Sequence, residues 1–161
     1  MARKKNALRQ HYIAPYTTAE AKPTDAEYLR LAKWVTDIND DSEENTDTAG
    51  DYAGDGNEED ILLGRSEKWS FEGTYDPEDP AHKLLHSMKR TQSDEERLLW
   101  HKIIEENGDT VEGVAKALEL KTGGGAATEY GALSGHLDYI ATPTITPAGE
   151  TTPPDESGSG Q

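Results

Sequence analysis

Apolar and polar side chains alternate most regularly between Lys68 and Tyr75. Trp69, Phe71 and Gly73 fall on one side of an extended chain, and the residues between them are polar or charged. A period of two is typical of a strand with one buried face and one solvated face. Pro77 and Pro80 then end the strand, because proline cannot donate a backbone hydrogen bond to a sheet. The pattern predicts a strand that forms one wall of the core.

A short amphipathic helix is predicted directly after this strand, over about residues 80–90. Asp79 can accept hydrogen bonds from the free N–H groups of a first helical turn, and Pro80 suits the first helical position. The apolar residues that follow recur at helical spacing and form one stripe: Ala81, Leu84, Leu85 and Met88. Strand, corner and helix together form the clearest structural unit of the chain.

The remaining apolar segments favour strands, with two ambiguous stretches. A first strand is predicted near Gln10–Ala14. Residues 25–38 fit a helix or a strand almost equally well, although the β-branched Val35 and Thr36 favour a strand in the second half. Residues 97–104 also fit either element, since Ser93 and Glu96 form a possible helix-capping box. The dipeptide Asn107-Gly108 that follows is a strong hairpin signal and favours a strand.

Two further strands are expected after that hairpin turn, one returning from Val111 and a last one over about residues 133–141. The two ends of the chain differ from this pattern. Residues 1–9 are rich in Arg and Lys and predict a flexible basic arm, and residues 143–161 are rich in Pro, Thr, Gly and Ser and predict a disordered tail. The folded domain is therefore expected to span residues 10–142.

The segment from about 37 to 60 is the most unusual part of the sequence. It contains eleven Asp and Glu residues and no Lys or Arg. With so little apolar surface to bury, it predicts a long, extended and self-repelling acidic loop. A calcium loop starting at Asp51 would need a glutamate at its twelfth position, where the sequence has Leu62, so a solvated loop is the better interpretation.

Composition and charge exclude several classes of function. The 161 residues carry 32 acidic and 16 basic side chains, a net charge of −16, and no cysteine. This charge argues against wrapping nucleic acid, since such binding depends on clustered Lys and Arg. No apolar run is long enough to span a bilayer, so we expect a protein made and assembled in the cytoplasm.

No catalytic motif is recognisable, and we expect neither an enzyme nor a bound cofactor or metal. His82 and His86 share one helical spacing, but Lys83 occupies the position where a zinc protease motif has glutamate. Two histidines on the polar side of a helix are expected to be solvated.

Several segments in order resemble the major tail proteins of long-tailed bacteriophages of Gram-positive bacteria, over roughly residues 10–142. They are Tyr28–Val35, the acidic segment with Asp51–Gly56, Ser70–Asp76 followed by the short helix, and Trp100–Ile104. The resemblance implies a tail tube protein. Such a protein is a β-sandwich with one flanking helix and a long loop, and its subunits join sheets around a six-fold ring. Rings then stack into a hollow tube through which the genome passes.

The predicted fold class is therefore mainly β (α+β): a β-sandwich or open barrel with one short flanking helix and a long acidic loop. Exposed sheet edges of such a fold must be hidden or used for assembly. The resemblance implies that the chain itself is the main partner, with tape measure and terminator proteins as further partners. It also implies that DNA passes without specific binding, and that the protein resides in the virion tail after assembly in the host cytoplasm.

We expect the acidic loop and nearby basic residues to contact the next subunit or ring. These residues are Asp40, Asp41, Glu43, Glu44, Asp47, Asp51, Tyr52, Asp55, Arg65 and Lys68. The alternative is an acidic binding or inhibitor module that mimics nucleic acid. Such a module should carry its acids in a regular stripe on folded elements.

Overall fold

The structure of the protein is a computed structural model that describes residues 3–148. Its one α-helix among these residues is α1 (Pro80–Met88). The strands are β1 (Gln10–Pro15), β2 (Leu29–Arg30), β3 (Val35–Asp40), β4 (Glu43–Ala49), β5 (Glu59–Ser66), β6 (Lys68–Thr74), β7 (Leu98–Ile104), β8 (Thr110–Thr122), β9 (Ala132–Tyr139) and β10 (Thr144–Thr146). The fold is mainly β, as the sequence predicts.

One curled, open sheet contains eight of these strands and has the form of a half-barrel. Its order is β2-β1-β7-β8-β9-β6-β3, and β10 pairs with β8 beside this path. All of the pairs are antiparallel. Among residues 3–148, strands β4 and β5 pair only with each other and form a separate two-stranded sheet. Of the two architectures that the sequence allows, the open barrel is the one observed.

The core lies between one side of this sheet and α1. Trp69 and Phe71 of β6 are buried in the same cluster as Leu85 and Met88 of the helix, which confirms the predicted unit of strand and helix. The Asp79 carboxylate accepts hydrogen bonds from the N–H groups of Ala81 and His82, so the helix begins as expected.

A second, smaller cluster covers the other side of β1 and β7. Ala14, Tyr28 and Trp100 are buried there, because the segment before β2 folds over these strands. The Lys102 ammonium lies 4.5 Å from the centre of the Tyr28 ring and 3.1 Å from an Asp25 carboxylate oxygen. Both sides of the central strands are therefore covered within one subunit.

The ambiguous stretches now have definite structures. Residues 98–104 form strand β7, and the Asn107-Gly108 turn joins it to β8, as the hairpin signal predicts. Residues 25–38 are neither one helix nor one strand, but a 3₁₀ turn, the short β2 and then β3. The break falls at Trp34, whose positive φ of 65° interrupts the extended chain.

The two helix histidines are not solvated, contrary to expectation. His82 is fully buried, and its Nδ1 accepts a hydrogen bond from the Asp76 N–H at 2.9 Å. His86 is half-buried, with its Nδ1 2.6 Å from the Thr122 hydroxyl. The imidazole rings lie against Tyr75, so the helix uses a wider face than its aliphatic stripe.

The described structure adds detail at both ends of the predicted domain of residues 10–142. In the basic segment, Arg9 pairs with Glu105 and Glu106, and a 3₁₀ turn precedes β1. At the other end, Thr144–Thr146 form β10, so the sheet extends beyond residue 142. Most of the predicted disordered tail, from residue 149 on, lies outside the described residues.

Candidate assembly surface

A long hairpin projects from the sheet where the sequence predicts an acidic loop. We call it the arm and define it as residues 43–66, which contain β4, β5 and the turn between them. Backbone pairing runs from Glu43 opposite Ser66 to Ala49 opposite Glu59. The predicted exposure of this segment is therefore correct, but the predicted loop is confined to residues 50–58 and the flanking residues are strands.

The arm brings together most of the residues that the sequence marks as candidate contacts. Asp40 ends β3 and Asp41 follows it; Glu43, Glu44 and Asp47 lie on β4; Asp51, Tyr52 and Asp55 lie in the turn; Arg65 lies near the end of β5; and Lys68 begins β6. They spread along the whole arm from base to tip, so they form one elongated surface rather than a pocket.

The base of the arm is fixed to the sheet by hydrogen bonds. The Asp41 N–H donates to the Lys68 carbonyl at 2.8 Å, and the Lys68 N–H donates to the Ser42 hydroxyl at 3.0 Å. The Ser70 hydroxyl donates to the Asp41 carboxylate. These bonds hold both ends of the arm at one edge of the sheet, which sets the direction in which the arm projects.

Arg65 is the basic centre of the arm base. Its guanidinium hydrogen-bonds to Glu67 at 2.9 Å and lies 3.8 Å from Glu44. The hydrogen bond to Glu67 raises the pKa of Arg65, and the charges of Glu67, Asp40 and Glu44 add to the effect. The side chain is largely exposed, so these pairs add little to stability, but they neutralise part of the acidic charge.

Three consecutive aliphatic residues of β5 are exposed: Ile61, Leu62 and Leu63 have 43%, 58% and 59% of their surface accessible. Neighbouring strand residues point to opposite faces, so both faces of the arm carry apolar side chains. Sequence reasoning did not single them out as a contact, because three consecutive aliphatic residues show no period that marks a face of a strand or helix. The signal that could have indicated a contact is an aliphatic run that directly follows acidic residues and does not alternate with polar ones, so that no single face would bury it.

The main sheet has two outer strands, β2 and β3. Only two residues of β2 pair with β1, while β3 pairs along one side with β6. The other side of β3 has no paired strand among the described residues. A strand with free N–H and C=O groups is a surface to which another chain can add.

A concave polar surface crosses β3, β6, β8 and β9. Its lining includes four acidic side chains, Asp41, Glu43, Glu72 and Glu119, against two lysines, Lys68 and Lys121. His136 lies between carboxylates, with its Nε2 3.3 Å from Glu119 and its Nδ1 2.5 Å from Asp138. The surface is wide and polar, as expected of a face that contacts solvent or a charged polymer and not a small ligand.

Residues 3–148 contain no group of three or more His, Asp or Glu side chains placed to hold a metal ion. Their helix, α1, is too short to cross a membrane.

Comparison with solved structures identifies the fold. A chain from the tail of an empty gene transfer agent particle with C6 symmetry has a TM-score of 0.61 and 12% sequence identity. The match covers 90% of this chain and 100% of that one. A chain of a sheath-tube complex from an extracellular contractile injection system in its extended state has a TM-score of 0.52 and 13% identity, over 88% and 90% of the two chains.

A third similar structure is the tube-terminating cap of the anti-feeding prophage, with a TM-score of 0.51, 14% identity, and coverage of 92% and 93%. No family model and no curated protein sequence matches the chain. At these identities the likeness concerns the fold alone. The chain has a phage-like tail tube fold.

Proposed function

We propose that this protein is a non-enzymatic structural subunit that self-assembles into stacked rings and forms the tube of a phage tail. The ring is hexameric, and the tube is the conduit through which the genome passes into the host. The observation that carries the proposal is the arm, which stays exposed on both faces although it displays three large aliphatic residues.

The arm is difficult to explain in an isolated subunit. A two-stranded hairpin alone in water is marginally stable, and burying an aliphatic side chain is worth about 1.5–3 kcal/mol. Ile61, Leu62 and Leu63 are only partly covered in the single chain, with 43%, 58% and 59% of their surface accessible. A second copy of the chain would bury them further, and the free side of β3 offers a further surface for association.

The likeness to a tail with C6 symmetry supports six subunits per ring. Tape measure and terminator proteins are the further partners that we propose, and the virion tail, after assembly in the host cytoplasm, is the proposed location. The residue resemblance supports a phage of a Gram-positive host. A net charge of −16 suits a channel that DNA must pass without adhering, since like charges repel over about 8 Å in physiological salt.

The rival function is an acidic module that mimics nucleic acid and occupies a basic site on another protein. It gains one argument from the structure, because Glu43, Glu44 and Asp47 lie on a folded strand and not in a loop. The exposed aliphatic residues of the paired strand β5 weigh against it: Ile61 lies opposite Asp47 and Leu62 opposite Thr46. A mimic of a phosphate backbone needs charge and not exposed aliphatic side chains.

Size-exclusion chromatography with negative-stain microscopy of the purified chain separates the two. We expect rings or tubes that appear above a threshold protein concentration. A chain that remains monomeric at high concentration, and that binds a basic protein with strong salt dependence, would refute the tail tube and support the mimic.

A further inference from the structure

A narrow groove separates the two ends of the curled sheet. It has a volume of about 230 Å³ and lies between the segment before β1, the end of β2 and the start of β3. Leu31, Val35 and Ile38 provide its apolar wall, and Arg9 and Arg30 provide positive charge. Leu31 is buried at its floor, while Val35 and Ile38 are only half-buried, so part of the apolar wall remains open to solvent.

The two arginines differ in how far their charge is already neutralised. Arg9 forms ion pairs with Glu105 and Glu106. Arg30 is exposed and forms no salt bridge within residues 3–148. The groove also contains one acid, Asp37. Its surface therefore combines aliphatic side chains with a cation that has no close partner in the described chain.

The arm has the complementary combination. Ile61–Leu63 are exposed, and Glu59 and Asp60 directly precede them on the same strand. Neither of these two acids forms a salt bridge in the part of the chain that the structure describes. A groove that is apolar and basic thus coexists in one chain with a projecting strand that is apolar and acidic.

We propose that the groove is the docking site for the arm of a second copy of this chain. The aliphatic residues of the incoming β5 would cover Leu31, Val35 and Ile38, and its acids would face Arg30. Buried apolar contacts supply affinity, and the charge pair sets the register. This inference rests on the proposed self-assembly and goes further by naming the receptor surface.

Cross-linking between cysteines tests the contact directly, because the native chain has none. One chain carries Leu62→Cys on the arm, and a second, longer-tagged chain carries Ala32→Cys, an exposed residue of the groove lining. After co-assembly and mild oxidation, we expect a covalent heterodimer of intermediate size on a non-reducing gel. The control pair replaces Ala32→Cys with Ser93→Cys, which is exposed in the turn after α1 and should give no heterodimer.

The outcomes separate the groove from the proposed function. Particles of normal shape without the Leu62–Ala32 cross-link would overturn the groove as the docking site for the arm and leave the proposed self-assembly intact. Absence of particles from the parent chain, together with absence of the Leu62–Ala32 cross-link between folded variants, would overturn both the groove contact and the proposed self-assembly. A monomer with an internal bond when both substitutions are on one chain, together with no heterodimer, would show that the arm folds onto its own groove and would also overturn the proposal.

Charge reversal provides a second test with a matched control. Arg30→Glu should raise the concentration needed for assembly at least five-fold, and Glu59→Lys with Asp60→Lys on the same chain should recover much of that loss. Lys33→Glu makes the same charge change three residues away, outside the groove lining, and should alter the threshold less than two-fold. Equal effects of Arg30→Glu and Lys33→Glu would mean that only net charge matters and would refute the specific contact.

Discussion

The Nδ1 atom of His11 lies 3.2 Å from the Nε2 atom of His101, and the two rings stack with their centres 5.4 Å apart. His11 belongs to β1 and His101 to β7, directly beside it in the sheet. Both side chains are buried. Burial lowers the pKa of His11 to about 4, with the positive charge of Arg9 adding to the effect, and burial lowers the pKa of His101 well below its usual value. The pair is therefore neutral in the folded protein at neutral pH.

This pair should make stability depend on pH below about 6.5. The folded-state pKa of His11 is lower than its unfolded value, so the unfolded state binds more protons as pH falls from 6.5 toward 4. Stability is full above this window and declines within it. At pH 5, His11 alone should lower the free energy of unfolding by on the order of 2 kcal/mol.

Urea unfolding at pH 7.5 and pH 5 checks this expectation. The variant with His11→Gln and His101→Gln should lose less stability between the two pH values than the parent does. An unchanged pH dependence in the double variant would show that these histidines do not titrate with unfolding.

Trp69 and Phe71 should be essential to the core. Both are buried in the cluster that includes Leu85 and Met88, so replacing either by alanine removes a large apolar side chain and leaves a cavity. We expect a loss of about 3–5 kcal/mol in the free energy of unfolding. Glu72→Ala, at an exposed position of the same strand, should change it by less than about 0.5 kcal/mol. A denaturation midpoint for Phe71→Ala equal to the parent's would exclude this side chain from the core.

These elements show why part of the fold is predictable. Trp69 and Phe71 alternate with polar residues because one face of β6 is buried and the other is not. Helix α1 begins after Asp79 because the Asp79 carboxylate accepts hydrogen bonds from the first-turn N–H groups, a signal that neighbouring residues in the sequence carry. The arm lacks both signals. Its strands are held by backbone pairing and have no buried face, so no periodic pattern marks them. The aliphatic part of the candidate contact surface was missed for the same reason, while its acidic part was found by charge alone.

Gly73 should tolerate no side chain. An ideal Cβ at this position would lie 2.1 Å from the Trp34 carbonyl oxygen, because β3 bends against β6 at the residue with positive φ. Gly73→Ala would force the strands apart, and we expect a loss of roughly 2–4 kcal/mol. Gly64→Ala in the arm is a matched control, since nothing lies within 4 Å of its Cβ. Thermal unfolding of the two variants gives the comparison, and similar midpoints would mean that the bend relaxes easily.

Two truncations should locate the end of the folded domain. After Ile145 the sequence has no large apolar side chain to bury, so removing residues 149–161 should leave the unfolding midpoint unchanged. Removing residues 143–161 also deletes β10, which pairs with β8, and the bond from the Ala148 N–H to Asp109. The longer deletion should lower the midpoint by several degrees. Equal unfolding midpoints of the two truncated chains would place the end of the folded domain at residue 142.

The arm should become protected from hydrogen exchange only on assembly. In the single chain its strands have no packing partner in the described structure, and the acids of residues 43–60 repel one another, so its amides should open readily. Salt screens this repulsion, because the Debye length shortens as the ionic strength rises. With 32 acids against 16 bases, we expect assembly to strengthen between about 50 mM and about 300 mM salt. Exchange measured on the free subunit and on the particle should then differ most at Glu59–Ser66 and little at β7, which is buried in both states. Deleting residues 45–57 should abolish tube formation while the core unfolds as before. If the arm exchanges equally fast in both states, or if that deletion leaves tubes intact, the arm is solvated surface and the self-assembly must rest on the sheet edges alone.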